Sequence, residues 1–212
     1  MTSKPSDKRQ VTIPYMPIGN LSAVANMVRK SGGEAVISYN PQDLYESQCV
    51  ILAGVGAFDA GMRALEDGGW LKPLHDLAQR GHTPILGICL GMQLMCQRSE
   101  EGVLPGLGWF KAAVKRILPL EGSGLKVPHM GWNTLNIQHA NALLFPTDEE
   151  QRYYFVHSYH VVCDNPTDVV ATTPYGADLT AAIGCGNLFG TQFHPEKSHR
   201  FGMTLMQHFL AL

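Results

Sequence analysis

Residues 84 to 93 read Pro-Ile-Leu-Gly-Ile-Cys-Leu-Gly-Met-Gln, an uncharged run in which Cys89 stands between Gly87 and Gly91. An apolar segment ending at Ile88, one further residue and a helical pattern from Leu90 place Cys89 on a strand-to-helix corner, where the glycines leave room for tightly folded backbone. This is the nucleophile-elbow pattern with cysteine in place of serine. The helix N-terminus favours an anionic thiolate, and the N–H of Leu90 is free to help bind an oxyanion. A small buried hydrophobe is the usual fate of a free cysteine, and the pentapeptide alone leaves both readings open.

Outward from this corner, the first half of the chain alternates. Short apolar segments (Val11 to Ile13, Ala35 to Ser38, Cys49 to Leu52, Pro84 to Ile88) are separated by helical patterns around Leu21 to Lys30, Met62 to Leu65, Leu71 to Arg80 and Leu90 to Arg98. Apolar runs without in/out alternation suit central parallel strands covered by helices on both faces. The expected fold is therefore α/β, a doubly wound and mostly parallel central sheet flanked by helices, with ligands at the carboxyl ends of its strands. From about Gly102, shorter segments and frequent turns (Pro105-Gly106, Asn165-Pro166, Pro174-Tyr-Gly176) predict an additional antiparallel portion, and a final helix spans Ser198 to Leu210. The length predicts one domain, 1–212, with residues 1–10 as a disordered N-terminal extension.

Composition narrows the function classes. A net charge of -2 offers no basic field for nucleic acid. Five scattered cysteines without a C-x-x-C make neither a disulfide framework nor a metal site, and fit a reducing cytosol. Lys4, Lys8 and Arg9 ahead of an uncharged run mimic a secretory leader, but Pro14, Pro17, Gly19 and Asn20 interrupt it. The same breaks argue against a membrane span. A soluble cytoplasmic protein is expected, with no membrane or nucleic-acid partner.

A thiol nucleophile needs a base, and the base needs an orienting group. Gly190-Thr-Gln-Phe-His-Pro-Glu-Lys-Ser198 supplies both: in an extended stretch His194 and Glu196 face the same way, and Pro195 keeps His194 out of the helical region. Glu196 then holds one imidazole nitrogen while the other faces Cys89. His75, His82, His139, His199 and His208 read as structural or surface residues. After the strand Cys49 to Leu52 comes Ala53-Gly-Val-Gly-Ala57, whose glycines allow an N–H of Val55 or Gly56 to serve as a second oxyanion donor. No GxGxxG follows, so a dinucleotide fingerprint is absent. Met92 and Met95 are expected to face the core.

Gly87-Ile-Cys-Leu-Gly-Met-Gln93 together with Phe193-His-Pro-Glu196 resembles the class I (triad) glutamine amidotransferases. Pro128-His-Met-Gly-Trp-Asn133, Tyr154-Phe-Val-His-Ser-Tyr159 and Gly54-Val-Gly-Ala-Phe58 resemble, within that class, the glutaminase subunits of imidazole glycerol phosphate synthases, from about Ile18 to the C-terminus. The resemblance implies hydrolysis of L-glutamine through a thioester on Cys89, with Gly56, Gln93, Ser158 and Tyr159 lining the substrate pocket. It also implies a heterodimer with a (β/α)8-barrel cyclase that receives the ammonia to make imidazole glycerol phosphate in L-histidine biosynthesis, with Asn20, Trp132 and Lys197 near the interface. Trp132 as core packing and Lys197 as a solvated charge are the alternatives. No cofactor or metal is implied.

The chain departs from the family around Ile13 to Asn20, which carries an extra residue, at Ser22, and at Ala53, where relatives have proline. Loss of that proline loosens the restraint on φ, so coupling between partner docking and glutaminase activity is expected to differ. Tyr159-His-Val-Val-Cys163 and Lys197-Ser-His-Arg-Phe-Gly-Met203 also resemble paralogues that supply ammonia for acetamidino sugars of surface polysaccharide. Two further alternatives are a cysteine hydrolase of the α/β-hydrolase type, which needs its acid well before the histidine, and a degenerate, non-catalytic module, which typically lacks the nucleophile or the histidine.

Overall fold

The computed structural model describes residues 8–212. The expected N-terminal extension falls mostly on residues outside this part; its last residue, Gln10, opens the first strand. The chain runs through β1 (Gln10–Pro14), α1 (Leu21–Lys30), β2 (Glu34–Ser38), β3 (Cys49–Gly54), α2 (Phe58–Asp67), α3 (Leu71–Arg80), β4 (Ile85–Cys89) and α4 (Leu90–Leu94). It continues through β5 (Arg98–Ser99), β6 (Ala112–Arg116), β7 (His129–Thr134), β8 (Asn136–Ile137), β9 (Arg152–His157), β10 (Tyr159–Cys163), β11 (Val169–Pro174), β12 (Asp178–Cys185), β13 (Leu188–Thr191) and α5 (His199–Leu210).

Among the described residues the main sheet has eight strands in the order β2-β1-β3-β4-β13-β12-β11-β8. From β2 to β13 neighbours are parallel, and from β13 to β8 antiparallel. The expected doubly wound, mostly parallel sheet with an antiparallel extension is the observed one. Two small sheets, β10-β6-β5 and β7-β9, stand apart from it. One apolar cluster joins one face of the main sheet to α1 and α5 through residues such as Val24, Val28, Leu205 and Phe209. A second joins the other face to α2, α3 and α4 through Leu65, Leu74, Leu77 and Leu94. β3 and β4 are buried along their whole length, which is why they read as continuous apolar runs.

The helix after Cys89 is shorter than its sequence pattern. It ends at Leu94 rather than Arg98, because the next carbonyls bond to an incoming segment: Leu107 N–H donates to Leu94 O at 2.8 Å, Trp109 N–H to Met95 O at 2.9 Å and Gly108 N–H to Cys96 O at 3.0 Å. Arg98–Ser99 then pairs with β6. Met92 and Met95 are fully buried, as expected.

Candidate active site

Cys89 is both the last residue of β4 and the residue that opens α4, with φ 54° and ψ -106°. A side chain at positive φ is strained, and its surroundings hold it there. A Cβ on Gly91 would lie 1.7 Å from the carbonyl oxygen of Leu52, and one on Gly87 would lie 2.7 Å from the backbone of Gly91. The elbow thus exists because β3, β4 and α4 approach more closely than any larger residue permits. Leu90 N–H, the first of the helix, has no intrahelical acceptor.

Gly54 pairs in register with Cys89, so the Gly54-Val55-Gly56 turn leaves β3 directly beside the thiol. Gly56 adopts φ 113°, which suits glycine and aims its backbone as few other residues could. A cavity of about 430 Å³ opens here, lined by Val55, Gly56, Cys89, Leu90, Gln93 and Glu101 on one side and by His157, Ser158 and Tyr159 on the other. The structure therefore brings Gly56, Gln93, Ser158 and Tyr159 to the cavity that holds the thiol.

His194 follows β13 with an extended backbone (φ -102°, ψ 98°). The stretch after it differs from the expected extended one. Pro195–Lys197 forms a single 3-10 turn, since the fixed φ of proline suits a first helical position, and Lys197 N–H closes the turn on His194 O at 3.1 Å. Within this turn His194 Nδ1 still meets Glu196 Oε1 at 2.7 Å, with both side chains buried. His194 Nε2 makes no hydrogen bond, and the Cys89 thiol lies close enough to act on the ring. Burial alone would lower the imidazole pKa; Cys89 and Glu196 together overcome it and raise it to about 9. A thiol, an imidazole and a carboxylate thus lie close together next to a cavity that the thiol lines. Such a set can form an acyl-thioester and hydrolyse it. The acid lies two residues after the histidine, not well before it as an α/β-hydrolase requires.

A family model for glutamine amidotransferase class-I matches residues 19–211. The chain belongs to the class I glutamine amidotransferases. The imidazole glycerol phosphate synthase subunit HisH 2 of Pseudomonas aeruginosa is 43% identical over 202 residues, covering 95% of this amidotransferase and 98% of the relative. Its namesake in Methanococcus maripaludis is 42% identical over 193 residues, 91% and 95% of the two chains. A chain of PurLQS from Thermotoga maritima superposes with a TM-score of 0.71 at 21% identity, over 96% of this chain and 98% of its own. A glutamine amidotransferase from the same organism superposes with a TM-score of 0.57 at 20% identity, over 92% and 78%; at such identities the likeness is one of fold.

Several residues that support the amidotransferase site escape a sequence reading. Ser198 Oγ donates to His194 O at 2.6 Å and accepts from Tyr154 N–H at 3.0 Å, while His194 N–H bonds Tyr154 O at 2.9 Å. The histidine backbone is therefore stapled to β9. Glu101 lines the cavity and accepts from Phe58 N–H at 2.9 Å. Gln192, fully buried, donates to Cys89 Sγ at 3.6 Å.

Of the three residues expected near a partner, Asn20 is exposed and caps α1, accepting from Ala23 N–H at 3.1 Å. Trp132 stays 47% exposed and stacks on His199 at 5.5 Å. It is not core packing. Lys197 is exposed and lies over the Tyr154 ring at 5.7 Å. Among the described residues no group of three or more His, Cys, Asp or Glu is placed to hold a metal, and no helix is long and apolar enough to cross a membrane.

Proposed function

We propose that this amidotransferase is the glutaminase subunit of an imidazole glycerol phosphate synthase. The observation that carries the reading is the strained Cys89 elbow facing a carboxylate-held His194 beside the cavity. The Cys89 thiolate attacks the side-chain carbonyl of L-glutamine, and the oxyanion is received by the N–H groups of Leu90 and of Val55 or Gly56. His194, kept in orientation by Glu196 and protonated up to about pH 9, gives its proton to the nitrogen as the C–N bond breaks and ammonia leaves. Water then attacks the thioester while His194 takes a proton from it, releasing L-glutamate and regenerating the thiolate beside a protonated His194. In the pocket, Gln93, Ser158 and Tyr159 hold the substrate with Gly56, and the Glu101 carboxylate suits its α-ammonium group.

The ammonia passes to a (β/α)8-barrel cyclase in a cytoplasmic heterodimer, which makes imidazole glycerol phosphate and aminoimidazole carboxamide ribonucleotide. On this reading the docking face is the carboxyl edge of the parallel strands, with Asn20, Trp132 and Lys197 assigned to it; all three are exposed, as are Tyr39 and Val55. An exposed apolar surface rimmed by polar residues is what such a contact requires. The relatives' names support this choice of partner.

Glutamate release by wild type and Cys89→Ala, with and without the cognate cyclase, tests the chemistry; the expected result is thiol-dependent hydrolysis, and its absence in both conditions sinks the reading. Rescue of a histidine auxotroph by this chain and its cyclase tests the acceptor. Glutaminase activity without rescue assigns the ammonia to another acceptor, such as an acetamidino sugar. Equal rates free and in complex would show that activation by the partner is missing.

A further inference from the structure

A row of polar groups leads from the cavity wall at Gln93 and His157 into the molecule, and its two histidines are not used by the proposed mechanism. β7 and β9 pair so that His129 stands opposite His157, and both are buried. Asn133 Nδ2 is 3.2 Å from His129 Nε2, His129 Nδ1 is 3.0 Å from His157 Nε2, and His157 Nδ1 is 2.8 Å from the carbonyl oxygen of Tyr159. The same carbonyl accepts from Gln93 Nε2 at 3.2 Å. Gln93 Nε2 also donates to Gln192 Oε1 at 3.0 Å.

One atom sets the direction of every bond. A carbonyl oxygen only accepts, so His157 carries a hydrogen on Nδ1 and, as a neutral ring, accepts at Nε2. His129 must then donate from Nδ1 and accept at Nε2 from the Asn133 amide. This requires both rings to be neutral, and burial keeps them so, lowering His129 to about 4 and His157 to about 3. At the far end, the Tyr159 carbonyl and Gln192 engage both hydrogens of the Gln93 amide. Only its oxygen is left for the cavity that Gln93 lines.

We propose that His157, supported by His129, is a positioning residue for glutamine binding: it braces the corner carrying Ser158 and Tyr159 and aims the Tyr159 carbonyl so that Gln93 presents an acceptor oxygen to the substrate. The inference rests on the glutaminase reading above. Loss of the brace weakens substrate binding and leaves the thiol chemistry intact, whereas two merely structural histidines would affect stability alone.

The test measures KM and kcat for glutamine with the cyclase present, together with the rate of Cys89 alkylation by iodoacetamide. Replacing one hydrogen bond that orients a binding group predicts that His157→Phe raises KM about tenfold with kcat held within about threefold. His157→Asn places an N–H where Nδ1 stood and recovers most of that loss. His129→Phe leaves the Tyr159 bond in place and raises KM about threefold. Alkylation is expected to match wild type within about twofold in every variant. An unchanged KM in folded His157→Phe, an Asn variant no better than Phe, or a fall in kcat alone would each overturn the proposal. Should His157→Phe fail to fold, a wild-type KM in His129→Phe overturns it. Wild type without thiol-dependent glutamate release fails the glutaminase reading itself, a result distinct from all of these.

Discussion

The two halves of this amidotransferase build their share of the site in opposite ways. Around β3, β4 and α4 the site is made by closeness of backbone: Gly91 touches Leu52 and Gly54 lies level with Cys89. Around β7, β9 and β10 it is made by side-chain hydrogen bonds within and between strands, the Asn133-His129-His157 row among them. The first kind of construction tolerates no added atom. The second tolerates shape changes but is sensitive to which groups are donors and which are charged.

The largest expected effect is chemical. Cys89→Ala should lower glutamate release on the order of 10⁴-fold or more, whereas Cys89→Gly, equally inactive, should be more stable than the alanine variant by about 1 kcal/mol because glycine relieves the positive φ. Chemical denaturation of the pair measures the difference, and equal stabilities would mean the elbow holds no strain. Next comes a contrast between the halves. Gly91→Ala drives a Cβ into the β3 backbone and should cost about 4 kcal/mol or prevent folding. Gly184→Ala, in the antiparallel part, meets only the side chains of Asn141 and Val170 within 3.1 Å and should cost about 1 kcal/mol. Similar losses at both positions would erase the distinction.

The smallest effects are in pH dependence, and the halves should respond at opposite ends of the scale. His129 and His157 have folded pKa values below the ordinary 6.5, so their stability contribution is present above 6.5 and lost as pH falls through about 4 and then about 3. His194 is raised to about 9, so its contribution is complete below 6.5 and lost as pH rises through about 9. Thermal unfolding across pH should therefore show an acid limb flattened by His129→Phe or His157→Phe and an alkaline limb flattened by Cys89→Ala. Exchanged assignments, with Cys89→Ala altering the acid limb, would break the comparison.

The same contrast explains what could be read from the sequence. Elbow, parallel strands and the His194-Glu196 pair leave local signals: glycine, proline and apolar runs a few positions apart record them, although the close fit of the elbow also involves Leu52. Even there, the early end of α4 depends on distant partners, since the carbonyls that stop the helix are claimed by residues 107 to 110. The supporting groups are not legible for the same reason. His129 and His157 are 28 positions apart and Gln93 and Gln192 are 99 apart, so no periodicity links them. Both histidines lie inside motifs whose family resemblance singles out Trp132, Ser158 and Tyr159 instead.

β7 belongs to two surfaces at once. Met130 and Trp132 point outward while His129 and Asn133 point into the molecule, an alternation that follows from the two-residue period of a strand. Gaining or losing one residue along it would exchange the two sets in a single step. Over evolutionary time this strand can therefore vary in composition but hardly in length, and a lineage that adapts its outer side to a new partner must do so one substitution at a time.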